Sequence, residues 1–162
     1  MIKIQAEMPE GIKQVIKNMP HNIVNSLNSL ATKGFDVIKT NTPRDTGNLL
    51  RSEQLQPAII GNLCATIKTT LEEGKAYARY VELGTKPHWP PRAPIQGWVE
   101  RRFHVLGTEA KSLAFLVSRK IARKGTEGRF FFKKGEEYIE KNMPKELEDL
   151  GIRVSNDWEA KR

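Results

Sequence analysis

The chain has 162 residues, of which 38% are hydrophobic and 28% are charged, which predicts one domain with a modest core. Its one cysteine, Cys64, excludes an internal disulfide, and no apolar run approaches the ~20 residues of a membrane span. The formal net charge of +8 favours a polyanionic partner such as nucleic acid, with a solvated basic surface as the alternative.

The first quarter of the sequence predicts a short strand followed by a long helix. Residues 1–8 alternate apolar and polar side chains, which is typical of a strand, and they lack the long apolar segment of a signal peptide. We therefore expect synthesis in a cytoplasm. From about residue 9 to residue 40, apolar residues recur every three or four positions, which predicts an amphipathic helix broken near Pro20. The helix is long for a small domain, which suggests that much of it packs on another subunit.

The central segment predicts a short capped helix and a hairpin. Pro43 ends the long helix, and either Asp45 or Thr46 is expected to cap a helical turn that follows. Two β-branched runs flank Gly61-Asn62, a pair that favours a hairpin turn. Cys64 lies in the second run, so we expect a small buried strand residue rather than a nucleophile.

The next segment predicts a second short helix and then a stiff loop. The helix runs through Tyr77 and Tyr80 and is expected to end at Gly84. Four prolines between residues 85 and 94 exclude both a helix and a central strand, because each proline lacks an N–H donor and has a fixed φ. The loop carries His88 and Trp89 and would lose little conformational entropy on binding, which suits a contact surface.

The C-terminal half is predicted to be helical. Helices are predicted over residues 95–105 and 108–124, and the apolar stripe of the second is Leu113, Leu116, Val117 and Ile121. The phenylalanines at 130–132 are expected to anchor a last helix, which an interruption at Pro144 divides. The sequence therefore predicts an α+β fold in one domain spanning residues 1–162. It has a long N-terminal helix, a small antiparallel sheet and a helical C-terminal half.

The chain has little that indicates enzyme chemistry. Its three histidines, His21, His88 and His104, lack the spacing of a metal site, and there is no glycine-rich phosphate loop or nucleophile turn. We expect no enzyme activity, no cofactor and no metal. A hydrolase built around Glu82 and His88 is kept as a competing hypothesis, which requires a bound metal or a pair with perturbed pKa values.

The positive charge is concentrated in residues 92–134. That segment has eleven basic and three acidic residues, so its excess equals the net charge of the whole chain. Such a segment suits phosphate contact or the wall of a DNA channel, but no set of base-reading side chains accompanies it. A small basic DNA-binding protein without sequence specificity is therefore the alternative function. The candidate DNA- or lumen-facing residues are Arg101, Arg102, Arg119, Lys120, Arg123 and Lys124.

Two motifs in order resemble a known family. "NTPRDTGNLLRS" begins at Asn41, and "YARYVELGT" begins at Tyr77, with a predicted hairpin between them and a proline-rich turn after them. This arrangement, over about residues 40–103, resembles the neck or tail-completion proteins of long-tailed, lambda-like bacteriophages and prophages. The matching residues taken as the assembly motif, with the loop that follows, are Asp45, Thr46, Gly47, Tyr77, Tyr80, Glu82, Gly84, Thr85, His88 and Trp89.

The resemblance implies a structural part of the virion, made in the cytoplasm of a host bacterium. Such proteins form a ring, typically of six subunits, around the DNA path where the tail joins the head. The implied partners are further copies of the chain, the head connector or stopper, the tail terminator or tail tube, and genomic DNA through non-specific contacts. Within the motifs, we expect Gly47 to need an unusual backbone conformation, and Glu82 to bind backbone N–H groups or pair with Arg44 or Arg51.

Overall fold

The computed structural model describes residues 10–70 and 74–160. The strand predicted over residues 1–8 lies outside the described residues. The helices in the described part are α1 (Glu10–Asn41), α2 (Asn48–Ser52), α3 (Gly74–Leu83), α4 (Arg92–Phe103), α5 (Gly107–Lys124) and α6 (Phe131–Ala160). The strands there are β1 (Glu53–Gln56), β2 (Thr66–Thr69), β3 (Gly84–Thr85) and β4 (Thr126–Glu127).

The predicted α+β fold, with its long first helix and helical second half, is confirmed. β1 and β2 form one two-stranded sheet, and β3 pairs antiparallel with β4, with Gly84 opposite Glu127 and Thr85 opposite Thr126. The predicted hairpin is present, and Ile59 and Asn62 exchange both backbone hydrogen bonds at its tip. The turn therefore consists of Ile60 and Gly61, one residue earlier than the sequence predicted.

Proline positions account for three wrong predictions. α1 is continuous through Pro20, and α6 is continuous through Pro144. A proline inside a helix removes one hydrogen bond, and the other bonds of helices with 32 and 30 residues hold them through it. α4 begins at Arg92 and so includes Pro94, because the N–H groups of a first turn have no partner within the helix.

The chain forms two compact units, and the first combines residues 10–37 of α1, residues 55–67 and residues 135–160 of α6. Asn28 on α1 fixes the hairpin, because its side-chain amide both donates to the carbonyl and accepts from the N–H of buried Ala58. Ile139 of α6 packs directly over Gly34 of α1. This unit therefore depends on contacts between segments that are distant in sequence.

The second unit comprises residues 38–54, 68–70 and 74–134. Its hydrophobic centre is the α4–α5 hairpin, in which Val99 is fully buried against Ala110 and Ala114. The small alanine side chains allow the two helices to approach closely, and partly buried residues surround the contact: Ile95, Trp98, Val105, Leu113 and Val117. His104 ends α4 in the left-handed conformation at φ 56°, and its N–H donates to the Glu100 carbonyl.

Two burial predictions are wrong. Cys64 is exposed, because β2 begins only at Thr66 and the cysteine lies in the loop before it. Leu116 is also exposed, since Ala110, Ala114 and Ser118 form the buried face of α5 and Leu116 falls outside that face. In contrast, Phe131 is fully buried at the start of α6, as expected of an anchoring residue.

A buried carboxyl group lies in the second unit. Glu53 is 5% exposed, and its Oε1 lies 2.6 Å from the Thr42 hydroxyl, which also lies 2.9 Å from the Ile38 carbonyl oxygen. The Thr42 hydroxyl donates to the carboxyl group, whose Oε2 is buried without a hydrogen-bond partner among the described residues. Burial raises the pKa of Glu53, opposed by the Thr42 hydrogen bond and the Lys39 charge.

The raised pKa makes a prediction about stability. As the pH rises from the ordinary value of 4.5 through the raised value in the folded protein, the native state has to bury a charge. The contribution of Glu53 to the free energy of unfolding should therefore be greatest below this window and fall across it. Between pH 4 and pH 7, the free energy of unfolding of Glu53→Gln should change less in the unfavourable direction than that of the wild type. Urea unfolding at the two pH values measures the difference, with the exposed-site change Glu140→Gln as control, and an identical pH dependence of Glu53→Gln and the wild type would contradict the prediction.

Candidate functional site

All the residues of the predicted assembly motif lie in the second unit, beginning with an ion pair. The Asp45 carboxylate binds Arg101 of α4 through two bonds, Nε to Oδ1 at 2.9 Å and Nη2 to Oδ2 at 2.6 Å. The hydrogen bond from Arg101 holds the pKa of Asp45 below its usual value. Arg101 was a candidate DNA- or lumen-facing residue, and the structure gives it a partner within the fold.

The loop around Gly47 differs from the capping prediction. Gly47 is the N-cap of α2 at φ 79°, without a side-chain capping bond, so neither Asp45 nor Thr46 caps this helix. The Asp45 carboxylate is instead bound to Arg101, and Thr46 uses its carbonyl oxygen to accept a hydrogen bond from Arg51. The unusual backbone conformation expected at Gly47 is confirmed, and it is left-handed.

Glu82 caps the long final helix. Its Oε2 accepts from the Phe132 N–H and its Oε1 from the Lys133 N–H, both at 3.0 Å, in the first turn of α6. These N–H groups have no partner within the helix, and a negative charge favours the positive end of the helix dipole. The first expectation for Glu82, binding of backbone donors, is therefore confirmed.

Two glycines allow the backbones of β3 and β4 to touch. A Cβ at Gly84 would lie 2.2 Å from the Thr126 carbonyl oxygen, and a Cβ at Gly125 would lie 1.9 Å from that of Thr85. Both glycines also have positive φ, which side chains resist. The Thr85 and Thr126 hydroxyls complete the contact at 2.9 Å. Thus Gly84 and Thr85 of the second motif have a structural role.

The aromatic residues of the same motif point outward. α3 buries Ala78, whereas Tyr77, Tyr80 and Leu83 are exposed at a spacing of three residues, which forms an apolar stripe on the helix. Partial burial raises the pKa of Tyr77, and the Asp45 charge raises it further. The stripe is thus an apolar surface that is more than half exposed in the described part of the chain.

The proline loop adds a second exposed aromatic surface. Trp89 is 63% exposed and its ring stacks on that of Phe115 of α5, with centroids 6.3 Å apart. His88 is exposed, and its Nδ1 lies 2.9 Å from the Lys86 carbonyl oxygen, which fixes its ring within the loop. Trp89 and Phe115 form one wall of a groove of about 550 Å³ between the loop and α5, here called the Trp89 groove.

The remaining basic candidates lie on α4 and α5. Arg102 is exposed in the last turn of α4, and the exposed side of the C-terminal half of α5 carries Arg119, Lys120, Arg123 and Lys124. The structure therefore brings the four α5 residues together, whereas Arg101 pairs with Asp45. The four α5 residues form a basic face that lies away from the buried residues Ala110, Ala114 and Ser118.

Sequence reasoning missed the residues that reach the motif from later in the chain. Thr126 of β4 pairs with Thr85, and Phe115 stacks on Trp89, although neither has a local pattern that indicates it. Ser118 is also a missed candidate, because its hydroxyl is buried without a hydrogen-bond partner among the described residues. A polar residue on an otherwise apolar helix face was the only signal available.

Comparison with known proteins gives no further assignment. No family model, no curated protein and no solved structure matches the chain. Among residues 10–70 and 74–160, no cluster of three or more histidine, cysteine, aspartate or glutamate residues could hold a metal ion. No described helix combines the length and the hydropathy needed to cross a membrane.

Alanine substitutions at three glycines distinguish the steric clash expected at β3 from the cost of a positive φ. Gly84→Ala introduces both a steric clash and a strained φ, Gly107→Ala introduces only the strained φ, and Gly151→Ala introduces neither within α6. We expect a loss of more than about 2 kcal/mol for the first and about 1 kcal/mol for the second. The third should gain about 0.5–1 kcal/mol from helix propensity. Urea unfolding measures all three, and equal effects for Gly84→Ala and Gly107→Ala would contradict the proposed clash.

The capping role of Glu82 has its own test. Glu82→Ala leaves two N–H groups of α6 without acceptors and should cost about 1–3 kcal/mol of unfolding free energy. Glu140→Ala, at an exposed position of α6, should change the free energy of unfolding by less than about 0.5 kcal/mol. Hydrogen exchange of the Phe132 and Lys133 amides should also become faster in Glu82→Ala. Unchanged exchange at both amides would show that the cap is dispensable.

Proposed function

We propose that the protein is a structural subunit of the virion, at the neck of a long-tailed bacteriophage. It assembles into a ring that joins the tail to the head connector around the DNA path. The observation that carries the proposal is how the second unit uses the two resembling motifs. Their charged and glycine residues form bonds within the fold, while Tyr77, Tyr80 and Trp89 remain exposed. That division of roles suits a rigid surface for protein contact.

The balance of buried and exposed apolar residues supports assembly. In the described residues, eighteen large hydrophobic side chains are exposed, whereas six hydrophobic side chains larger than alanine are buried. Single exposed apolar residues are ordinary, but clusters mark contact sites. Here they cluster on α3, at the Trp89 groove and at the hairpin tip formed by Ile59, Ile60 and Leu63. A subunit covered by neighbours on several sides accounts for this pattern.

The proposed partners follow from the resemblance. They are further copies of the chain in a ring of six, the head connector or stopper on one side, and the tail terminator or tail tube on the other. The genomic DNA would pass through the ring, where the basic face of α5 gives a surface for non-specific contact with phosphates. The protein would thus be part of the virion after synthesis in the host cytoplasm.

The hydrolase hypothesis gains no support from the geometry. Both carboxylate oxygens of Glu82 already accept backbone hydrogen bonds from α6, and His88 is bound to the Lys86 carbonyl within its loop. A general base has to lie within hydrogen-bond reach of its substrate, whereas contacts with the backbone hold both of these side chains in place. Glu82 is therefore better explained as a structural residue.

A non-specific DNA-binding protein is the second candidate function. The observation that favours it is the exposed cluster of Arg119, Lys120, Arg123 and Lys124 on one side of α5. Binding through such a cluster would weaken steeply with salt, by roughly one unit of log–log slope for each phosphate neutralised. The two candidate functions therefore differ in whether the purified protein binds DNA or assembles with other subunits.

The molar mass of the purified protein tests the proposal. Light scattering should detect a ring, or a stable complex when tail tubes or head connectors are added. Tyr77→Ser with Tyr80→Ser should weaken that assembly by roughly tenfold or more, because exposed aromatic residues dominate such interfaces. Arg79→Ser, on the same helix, is the matched control and should assemble like the wild type.

Two results would contradict the proposal. One is a monomer that ignores tail tubes and connectors but binds duplex DNA with strong salt dependence, which would favour the second candidate. The other is normal assembly of the double tyrosine variant together with loss of assembly in Arg79→Ser. Circular dichroism of each variant establishes that the fold is retained.

A further inference from the structure

The Trp89 groove combines features of a binding site. Its aromatic wall is the stacked pair Trp89 and Phe115, both more than half exposed. Its floor includes Ala114 and Ser118 of α5, and Pro90 and Gln96 complete its sides. Because the loop that carries Trp89 is stiffened by prolines, the groove is largely formed before any ligand arrives.

The polar groups of the groove favour an anionic ligand. Arg92 and Lys111 line it, and none of the described residues that line it is acidic. The Ser118 side chain is 3% exposed, and its hydroxyl has no hydrogen-bond partner in the described part of the chain. A buried hydroxyl without a partner is unfavourable, so an acceptor supplied by a ligand would complete the site.

A matching surface exists on α6 of the same chain. Residues 135–160 contain eight acidic and three basic residues, the opposite balance to residues 92–134. Glu148, Ile152 and Glu159 are separated by four and seven residues and therefore share one stripe of the helix. All three are exposed, and Ile152 is 52% exposed between the two carboxylates.

We infer that the Trp89 groove of one subunit binds the Glu148–Ile152–Glu159 stripe of a second copy. Ile152 packs on Trp89 and Phe115, the carboxylates pair with Arg92 and Lys111, and one carboxylate oxygen accepts from Ser118. The two surfaces differ, so the contact is head-to-tail, which is the kind that closes a ring. The inference rests on the proposed function and names the surface through which neighbouring subunits join.

A protein ligand fits the groove better than nucleic acid does. The groove contributes two cations, whereas a backbone-tracking site needs a longer positive path. The basic face of α5 could supply such a path, and it includes Lys120. Lys120 follows Lys111 by nine residues, which places it on the opposite side of the helix from the groove. An exposed isoleucine between glutamates also offers an apolar anchor that a phosphate chain lacks.

Charge reversal on each surface tests the contact. Arg92→Glu with Lys111→Glu reverses the groove, and Glu148→Lys with Glu159→Lys reverses the stripe, all at exposed positions. Each double variant should need at least about tenfold higher protein concentration to assemble, as measured by sedimentation velocity. Mixing the two variants should restore larger species, because each then meets a complementary surface. Lys120→Glu, with one charge reversed on the opposite face of α5, should assemble like the wild type.

Ser118→Ala separates a binding role from a structural one. The hydroxyl has no hydrogen-bond partner among residues 10–70 and 74–160, so its removal should leave the melting temperature unchanged or raise it. Assembly should nevertheless weaken by several-fold, since the carboxylate loses a donor. A lower melting temperature with unchanged assembly would mean that the hydroxyl serves the fold and not the contact.

The outcomes distinguish this inference from the proposed function. If the wild type forms rings and both charge-reversed variants form them equally well, only the inference fails. If the wild type remains monomeric with tail tubes and connectors, both fail. If the groove variant loses binding to a single-stranded oligonucleotide while its assembly is unchanged, the groove is a phosphate site and the inference is overturned. Loss of assembly in each variant without recovery in the mixture also contradicts it.

Discussion

The carboxylate of Glu82 organises the second unit. Its two oxygens accept from Phe132 and Lys133, and the backbone carbonyls of Val81 and Glu82 accept from Arg129 and Phe130. These four hydrogen bonds join the end of α3 to the start of α6. They also hold β3 against β4, which fixes the start of the proline loop immediately after Thr85. The position of Trp89 therefore depends on Glu82, seven residues earlier, whose carboxylate binds the first turn of α6.

The fold gives the residues of each motif two separate tasks. Asp45, Gly47, Glu82 and Gly84 hold loops and helix ends in place, so their chemistry is used within the chain. The aromatic residues beside them gain an orientation and remain exposed. A motif that combines charged, glycine and aromatic residues thus resembles an active site in composition, although Asp45 and Glu82 each bind groups within the fold. The aromatic side chains, rather than these polar residues, form the exposed part of the motifs.

The sequence allowed prediction of the features that repeat along the chain. The spacing of apolar residues predicted the ends of α1 and α5 nearly to the residue, and α3 ends before Gly84 as expected. Long-range pairing was not predictable in this way. β4 has only two residues, and Thr126 has no pattern that points to Thr85, 41 residues earlier. The interruptions predicted at Pro20 and Pro144 are wrong because a helix of about thirty residues tolerates one lost hydrogen bond.

The separation between Glu82 and its partners affects how the protein is made. The carboxylate binds N–H groups 50 and 51 residues further along the chain, so the ribosome has to complete that stretch before the bond can form. During this interval the tyrosines of α3 already exist, but the loop beside them is not yet held. A chain that ends before Lys133 consequently lacks at least one of these two hydrogen bonds, and its proline loop is not held as it is in the complete chain.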